Sequence, residues 1–320
     1  MVIYAPLRHI GWLLQSILTA LDATFHPLGF PVRILTNSQE VVDAAHAEWA
    51  AWQPAFSEPP ITVRVNVTGT SADRPPASTF HADGPVFEVI SDAGNRARGD
   101  PRAGEAVADL TPGAVQNGPW LQYHFLDAMV FQLITSPHLT PIHASSVARD
   151  GRATLLAGNS HAGKSSLAYA CARRGWTYIS DDSSPLLRRC GSERLVLGTP
   201  HSLRLRPDAP RLFPELAPHP TTLRGNGKTV MQIPTRLLPI QTARTASASR
   251  FILLDRRPGS ARLAAADKSR VIDHCAQHFY HWDPPILRAQ QAAFDTMLDG
   301  MELLSLKYSN IDEAIDILEK

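Results

Sequence analysis

HASSVARDGRATLLAGNSHAGKSSLAYACARRGWTYISDD, residues 143–182, decides the fold. Within it, Gly158-Asn159-Ser160-His161-Ala162-Gly163-Lys164-Ser165 fits GxxxxGK[ST] at every fixed position. A short apolar strand, residues 153–157 (ATLLA), runs in. A helical pattern over residues 165–174 runs out and stops at Gly175. The chemistry needs this order. Glycines let the backbone curl so that successive N–H groups point at phosphate oxygens. The helix N-terminus behind them adds partial positive charge. Gly158 through Ser166 would cradle the phosphates, with His161 lending only its backbone. Lys164 would reach the β- and γ-phosphates, and the Ser165 hydroxyl would coordinate Mg²⁺.

The next strand, residues 177–180, ends in Asp181-Asp182. Strand, helix, strand is a βαβ alternation, which predicts parallel neighbours in one sheet. The C-terminal ends of such strands open onto one crevice, so the acid pair is expected beside the phosphates. One carboxylate would hold Mg²⁺, directly or through water, and the other would take a proton from an attacking hydroxyl. His143 precedes a hairpin over residues 144–156, whose turn is Arg149-Asp150-Gly151, and can enter the same crevice.

Together these forty residues resemble the C-terminal catalytic domain of the HPr kinase/phosphorylase family. That family shows a histidine leading a hairpin, the P-loop, a helix ending in a basic residue and Gly, and a strand ending in Asp-Asp. The resemblance extends loosely to the C-terminus. It implies an α/β, PEP-carboxykinase-like P-loop fold and transfer of the γ-phosphoryl group of ATP, with Mg²⁺, to a Ser or Thr hydroxyl of a protein or peptide. Carried over, Asp181 is the general base, Asp182 assists it or joins Ser165 at the metal, and His143 is a nearby electrostatic partner. Relatives of this kind form oligomers, so a homo-oligomer is expected. The family's Glu-Ile-Arg-Gly signature does not follow the acid pair; the corresponding region reads Gly198-Thr199-Pro200-His201-Ser202-Leu203-Arg204-Leu205-Arg206. The resemblance therefore does not carry over the phosphorylase reaction or HPr as acceptor. The closer likeness is to HPr-kinase-related proteins with a small β-rich N-terminal domain, some of which phosphorylate a precursor peptide in lasso-peptide biosynthesis. A metabolite kinase of the same fold, or a non-catalytic nucleotide-binding scaffold in a peptide-maturation system, remains open.

Composition is that of an ordinary globular protein. The chain has 320 residues, 44% hydrophobic and 19% charged, enough for a large core or two smaller ones. With 31 Lys+Arg against 30 Asp+Glu the net charge is +1, which gives no electrostatic reason to expect nucleic acid or an anionic membrane as partner. The cysteines, Cys171, Cys190 and Cys275, are odd in number and never spaced as CxxC, as expected in a reducing compartment. The apolar run over residues 10–21 is interrupted by Gln15 and Ser16 and reads as an amphipathic helix rather than a signal peptide. The cytoplasm is the expected location.

The expected division is a small α+β domain over residues 1–112 and the P-loop domain over 113–320. In the first, residues 61–68, 86–90 and 106–110 read as strands, 43–52 as a helix, and 69–85 and 92–104 as loops. A helix capped by Asn117 carries Trp120, Leu121, Phe125, Met129 and Leu133, and Pro137 stops it. Further strands are expected over 194–197, 203–205, 250–255 and 302–308, and helices over 268–281, 287–298 and 311–318, the last capped by Ser309 or Asn310. Arg204 and Arg206 alternate along one strand and would share a face. Lys228 lies on a glycine turn. His274, His278 and His281 stand at helical spacing beside Cys275, but with no acidic partner they read as packing rather than a metal site, as do Trp49 and Trp52.

Overall fold

The computed structural model describes residues 21–188, 194–224, 227–279 and 281–320. The helix expected over residues 10–21 therefore lies almost wholly outside the described residues, as does Cys190. The architecture is mixed α/β with several sheets. No described helix is long and apolar enough to cross a membrane.

The first sheet holds β1 (Leu21–Phe25), β2 (Val32–Thr36), β3 (Ile61–Val67), β4 (Thr79–Asp83), β5 (Val86–Asp92), β6 (Asn95–Asp100) and β7 (Glu105–Leu110), in the order β1-β2-β3-β7-β6-β5-β4. β3 shows why the alternation was readable: Ile61, Val63 and Val65 are buried while Thr62, Arg64 and Asn66 face outward. β4 and β6 fall where loops were expected. β6 (NRARGD) has only Asn95, Ala97 and Gly99 facing in, so it shows no hydrophobic alternation. The small residues are required there, because a Cβ on Gly99 would stand 2.3 Å from the Phe87 ring. Helix α1 (Gln39–Trp49) starts earlier than expected and ends before Trp52, with Val41, Ala44, Ala45 and Trp49 against the sheet.

Three further helical segments follow: α2 (Pro112–Val115), α3 (Gly118–Leu121), and α4 (Asp127–His138), the last joined to α3 by a π turn over Gln122–Leu126. The Asn117 side chain accepts from the Trp120 N–H, so the expected cap is present. Pro137 sits in the final turn. Leu121, Phe125, Met129 and Leu133 share one buried core with the first sheet, and Leu187 and Leu197 of the second half join it.

The second sheet contains β8 (Leu139–Thr140), β9 (Ser145–Arg149), β10 (Arg152–Ala157), β11 (Thr177–Ser180), β12 (Leu186–Leu187) and β13 (Leu195–Leu197). A third, small sheet is built from β14 (Ser202–Leu205), β15 (Thr221–Leu223) and β16 (Thr229–Pro234), ordered β14-β16-β15. The chain then returns to the second sheet through β17 (Gln241–Thr242), β18 (Thr245–Arg256), β19 (Arg262–Ala265) and β20 (Glu302–Tyr308). Helix α5 (Lys164–Arg173) joins β10 to β11; α6 (Lys268–Ala276) and α7 (Pro284–Asp299) precede β20, and α8 (Ile311–Leu318) follows it. The second sheet reads β17-β11-β9-β10-β18-β13-β12-β8, with β20 parallel to the later half of β18. Period-two alternation divides its strands between two layers. Leu156, Ile252 and Leu254 pack towards α5 and α8, while Leu155, Phe251 and Leu253 pack towards α6 and α7.

One expectation about this sheet is corrected. β10 and β11 are not neighbours: β9 lies between them, antiparallel to both. The hairpin β9–β10 closes on Asp150 and Gly151, both at positive φ, the geometry of a two-residue type I′ turn. This turn keeps β9 beside β10 and displaces β11 by one place. Since both flanking strands are antiparallel to β9, β10 and β11 still run the same way, and their C-terminal ends reach the same edge of the sheet.

Candidate active site

Four pieces meet at that edge: the loop after β10, the N-terminus of α5, the end of β11 and the start of β9. The loop Gly158–Gly163 curls through His161 at φ 69° and Gly163 at φ 90°. Gly163 caps α5, so the first amides of the helix lie beyond any intrahelical acceptor and face the crevice. The fit is tight on the far side, where a Cβ on Gly163 would stand 2.4 Å from the Tyr308 hydroxyl. Tyr308, fully buried at the end of β20, donates that hydroxyl to the Ala162 carbonyl at 2.7 Å. Lys164 Nζ folds back onto the Gly158 carbonyl at 2.8 Å, and partial burial holds its pKa below the ordinary lysine value. Ser165 Oγ donates to the Asp181 carbonyl at 3.0 Å. An amide cradle, an ammonium and a hydroxyl suit a polyphosphate, and the hydroxyl with a nearby carboxylate are the hard oxygen donors Mg²⁺ takes.

The two aspartates differ sharply. Asp181 is 1% exposed. Its Oδ1 accepts from the Tyr178 hydroxyl at 3.0 Å and its Oδ2 from the Arg204 backbone N–H at 3.1 Å. Burial pushes its pKa up to about 6, against the lowering effect of Arg204. Both oxygens of its carboxylate are thus engaged inside the protein, where they fasten β14 to the end of β11. The Asp182 side chain is 57% exposed, with Oδ1 3.4 Å from His143 Nδ1. Burial lowers the His143 pKa; Asp182 raises it, and Lys164 and His278 add to the lowering. The accessible acid–imidazole pair is thus Asp182–His143.

The histidines spaced along 274–281 separate. Helix α6 ends at Ala276, short of the expected 281. His281 is buried, bonded to Ser136 Oγ at 2.8 Å and accepting from the Asp283 N–H at 3.0 Å. His278 instead reaches the site, its ring centroid 4.8 Å from that of His143, with His274 6.2 Å further on. Their i, i+4 spacing was visible in the sequence, but its proximity to His143 was not. No group of His, Cys, Asp and Glu fit to hold a metal occurs among the described residues. Burial pushes the Cys171 and Cys275 thiols up to about 12, which favours the protonated thiol at both.

Arg204 and Arg206 also part company. Arg206 contacts the His161 ring on the loop that follows β10. Arg204 turns instead to Glu48, 4.0 Å away, and acts electrostatically on buried Asp127. Trp49 is in the core, and Trp52 packs edge-on against His201 at 4.8 Å. Lys228 is exposed at the β15–β16 turn, where the Arg224 N–H donates to its carbonyl at 3.0 Å.

Asp127 yields a pH prediction. Burial and Glu48 raise its pKa from 3.8 to about 7. The folded protein therefore keeps a proton that the unfolded chain has released. This contribution is full below pH 3.8 and is lost as pH rises through about 7. Asp127→Asn should remove that slope, at most about 1.4 kcal/mol per pH unit, because asparagine can still accept from Gln122. Melting temperatures across pH 5–8 check it: the variant should gain on the wild type as pH rises, and parallel curves would refute it.

Among solved structures, the chain is similar to the HPr(Ser) kinase/phosphatase from Coxiella burnetii, with 13% identity and a TM-score of 0.28 over 55% of this chain and 90% of that one. No family model matches the chain. No curated protein matches it.

Proposed function

We propose that the chain is an ATP-dependent phosphotransferase of PEP-carboxykinase-like fold that moves the γ-phosphoryl group to a Ser or Thr hydroxyl of a protein or peptide. One observation carries the reading: the 158–165 loop, Lys164 and the exposed Asp182–His143 pair converge on a single edge of the second sheet. The loop amides and the α5 N-terminus would bind the phosphates. Lys164 would leave the Gly158 carbonyl for the β- and γ-phosphate oxygens, exchanging a neutral acceptor for an anionic one. Ser165 would hold Mg²⁺, which supplies neutralisation of the charge that develops during transfer.

By the family resemblance Asp181 takes the proton, and Asp182 assists it or joins Ser165 at the metal. Burial of Asp181 leaves Asp182 as the carboxylate a substrate can touch, and the proposal assigns it the acceptor proton. His143 orients that carboxylate. Catalysis is then mainly positioning and charge neutralisation.

Two measurements test the reading. Calorimetry with Mg·ATP should give binding that Lys164→Ala weakens at least about tenfold, the value of one lost charge-assisted contact. Mass spectrometry of a panel of Ser- and Thr-containing peptides incubated with the protein and Mg·ATP should show the gain of one phosphate. Wild-type protein that binds no nucleotide would end the proposal.

A further inference from the structure

In the function proposed above, the proton chemistry and the acceptor would occupy the β9–β11 flank of the 158–163 loop, where Asp182 and His143 stand. The other flank is formed by β18 and β20, which run parallel to β10 and end beside it at Arg256 and Tyr308. Ligands of such sheets lie across the carboxyl ends of the parallel strands. A cavity of about 390 Å³ opens there, between α5 and α8. That is within the size range of small-ligand sites, roughly 300–1,000 Å³.

Resting on the phosphate-site reading above, we infer that this cavity receives the nucleoside half of the nucleotide. It begins at the loop itself: Arg256 Cδ lies 3.8 Å from where a Gly163 Cβ would stand. From there it follows α5 to Ala170, about 10 Å at 1.5 Å per residue, the reach of a ribose and base beyond the α-phosphate. Its chemistry fits a flat, partly apolar group attached to an anion. Leu212, 46% exposed, presents an apolar wall backed by buried Phe213. Ser309 and Asn310, in the turn after β20, line the opposite side.

The charges are unevenly satisfied. Arg173 is held by Glu215 at 3.1 Å, and Arg174 by Asp312 at 3.3 Å and by Asp316 and Glu319. Arg256 has no carboxylate partner among the described residues. A guanidinium with no carboxylate partner, at the loop end of an apolar-walled slot, can stack on a base.

Calorimetry on the full chain with Mg·ATP and with Mg·tripolyphosphate tests the inference. Wild type should bind ATP at least about tenfold more tightly than tripolyphosphate, the worth of one buried ring face. Arg256→Ala, and separately Leu212→Asp, which alters an exposed side chain and spares the core, should each cost most of that advantage. Tripolyphosphate affinity should change by less than about twofold. Equal wild-type affinity for the two ligands, or variants that leave ATP binding untouched, would overturn the nucleoside assignment and leave the phosphate site standing. Equal weakening of both ligands by Arg256→Ala would also overturn it, making Arg256 a phosphate contact. Binding of neither ligand would remove the phosphate-site reading and this inference together.

Discussion

Asp182→Asn should lower phosphoryl transfer by roughly 100- to 10,000-fold while leaving Mg·ATP affinity within a few-fold, because the amide cannot accept the hydroxyl proton. The adjacent Asp181→Asn should behave oppositely, with a folded protein and transfer within about tenfold of wild type. Its two hydrogen bonds can be rewired. An asparagine Oδ1 would accept the Arg204 N–H, and its Nδ2 would donate to the Tyr178 hydroxyl. That hydroxyl already lies 3.1 Å from the Ser202 carbonyl and can give its proton there. Asp181→Ala has no such escape. It leaves the buried Arg204 N–H and one side of Tyr178 unpaired and should cost about 1–3 kcal/mol of stability. Single-turnover transfer measured beside thermal unfolding separates the three. A dead, folded Asp181→Asn beside an active Asp182→Asn would return the proton to Asp181.

The contrast marks how far a sequence reaches. The glycine loop at 158–163, its flanking strand and helix, and the acid pair were legible because each is a local pattern whose physical demand is met by neighbours in the chain. Which of two adjacent aspartates faces the crevice was not. Side chains alternate along the end of β11, but the face that Asp181 takes is decided by Tyr178 and by β14, whose Arg204 is 23 residues away. The position of β9 between β10 and β11 was hidden for a similar reason: strand order is a matter of tertiary pairing, and the Asp150-Gly151 turn announced only the hairpin. β6 escaped notice because its inward residues are Asn95, Ala97 and Gly99, chosen to make room for Phe87 rather than to bury area themselves. Likewise His274 and His278 looked like a helical stripe until the end of α6 at Ala276 let His278 swing beside His143.

Gly163→Ala should cost at least about tenfold in Mg·ATP affinity and about 1–3 kcal/mol in stability, although it adds a single methyl group. Two penalties coincide at this position. The backbone stands at φ 90°, where an L side chain is strained. The new Cβ would also meet the Tyr308 hydroxyl at 2.4 Å, and that tyrosine cannot retreat, being fully buried and bonded to the Ala162 carbonyl. The loop would have to move instead, and the loop amides are what the phosphates would bind. Tyr308→Phe separates the penalties. Alone it forfeits one hydrogen bond, about 1 kcal/mol. Combined with Gly163→Ala it removes the oxygen that the methyl strikes, so the pair should cost clearly less than the sum of the singles. Strict additivity would assign the loss to backbone strain alone. Unchanged nucleotide affinity in Gly163→Ala would mean that the close fit against Tyr308 does not hold the cradle in its binding shape.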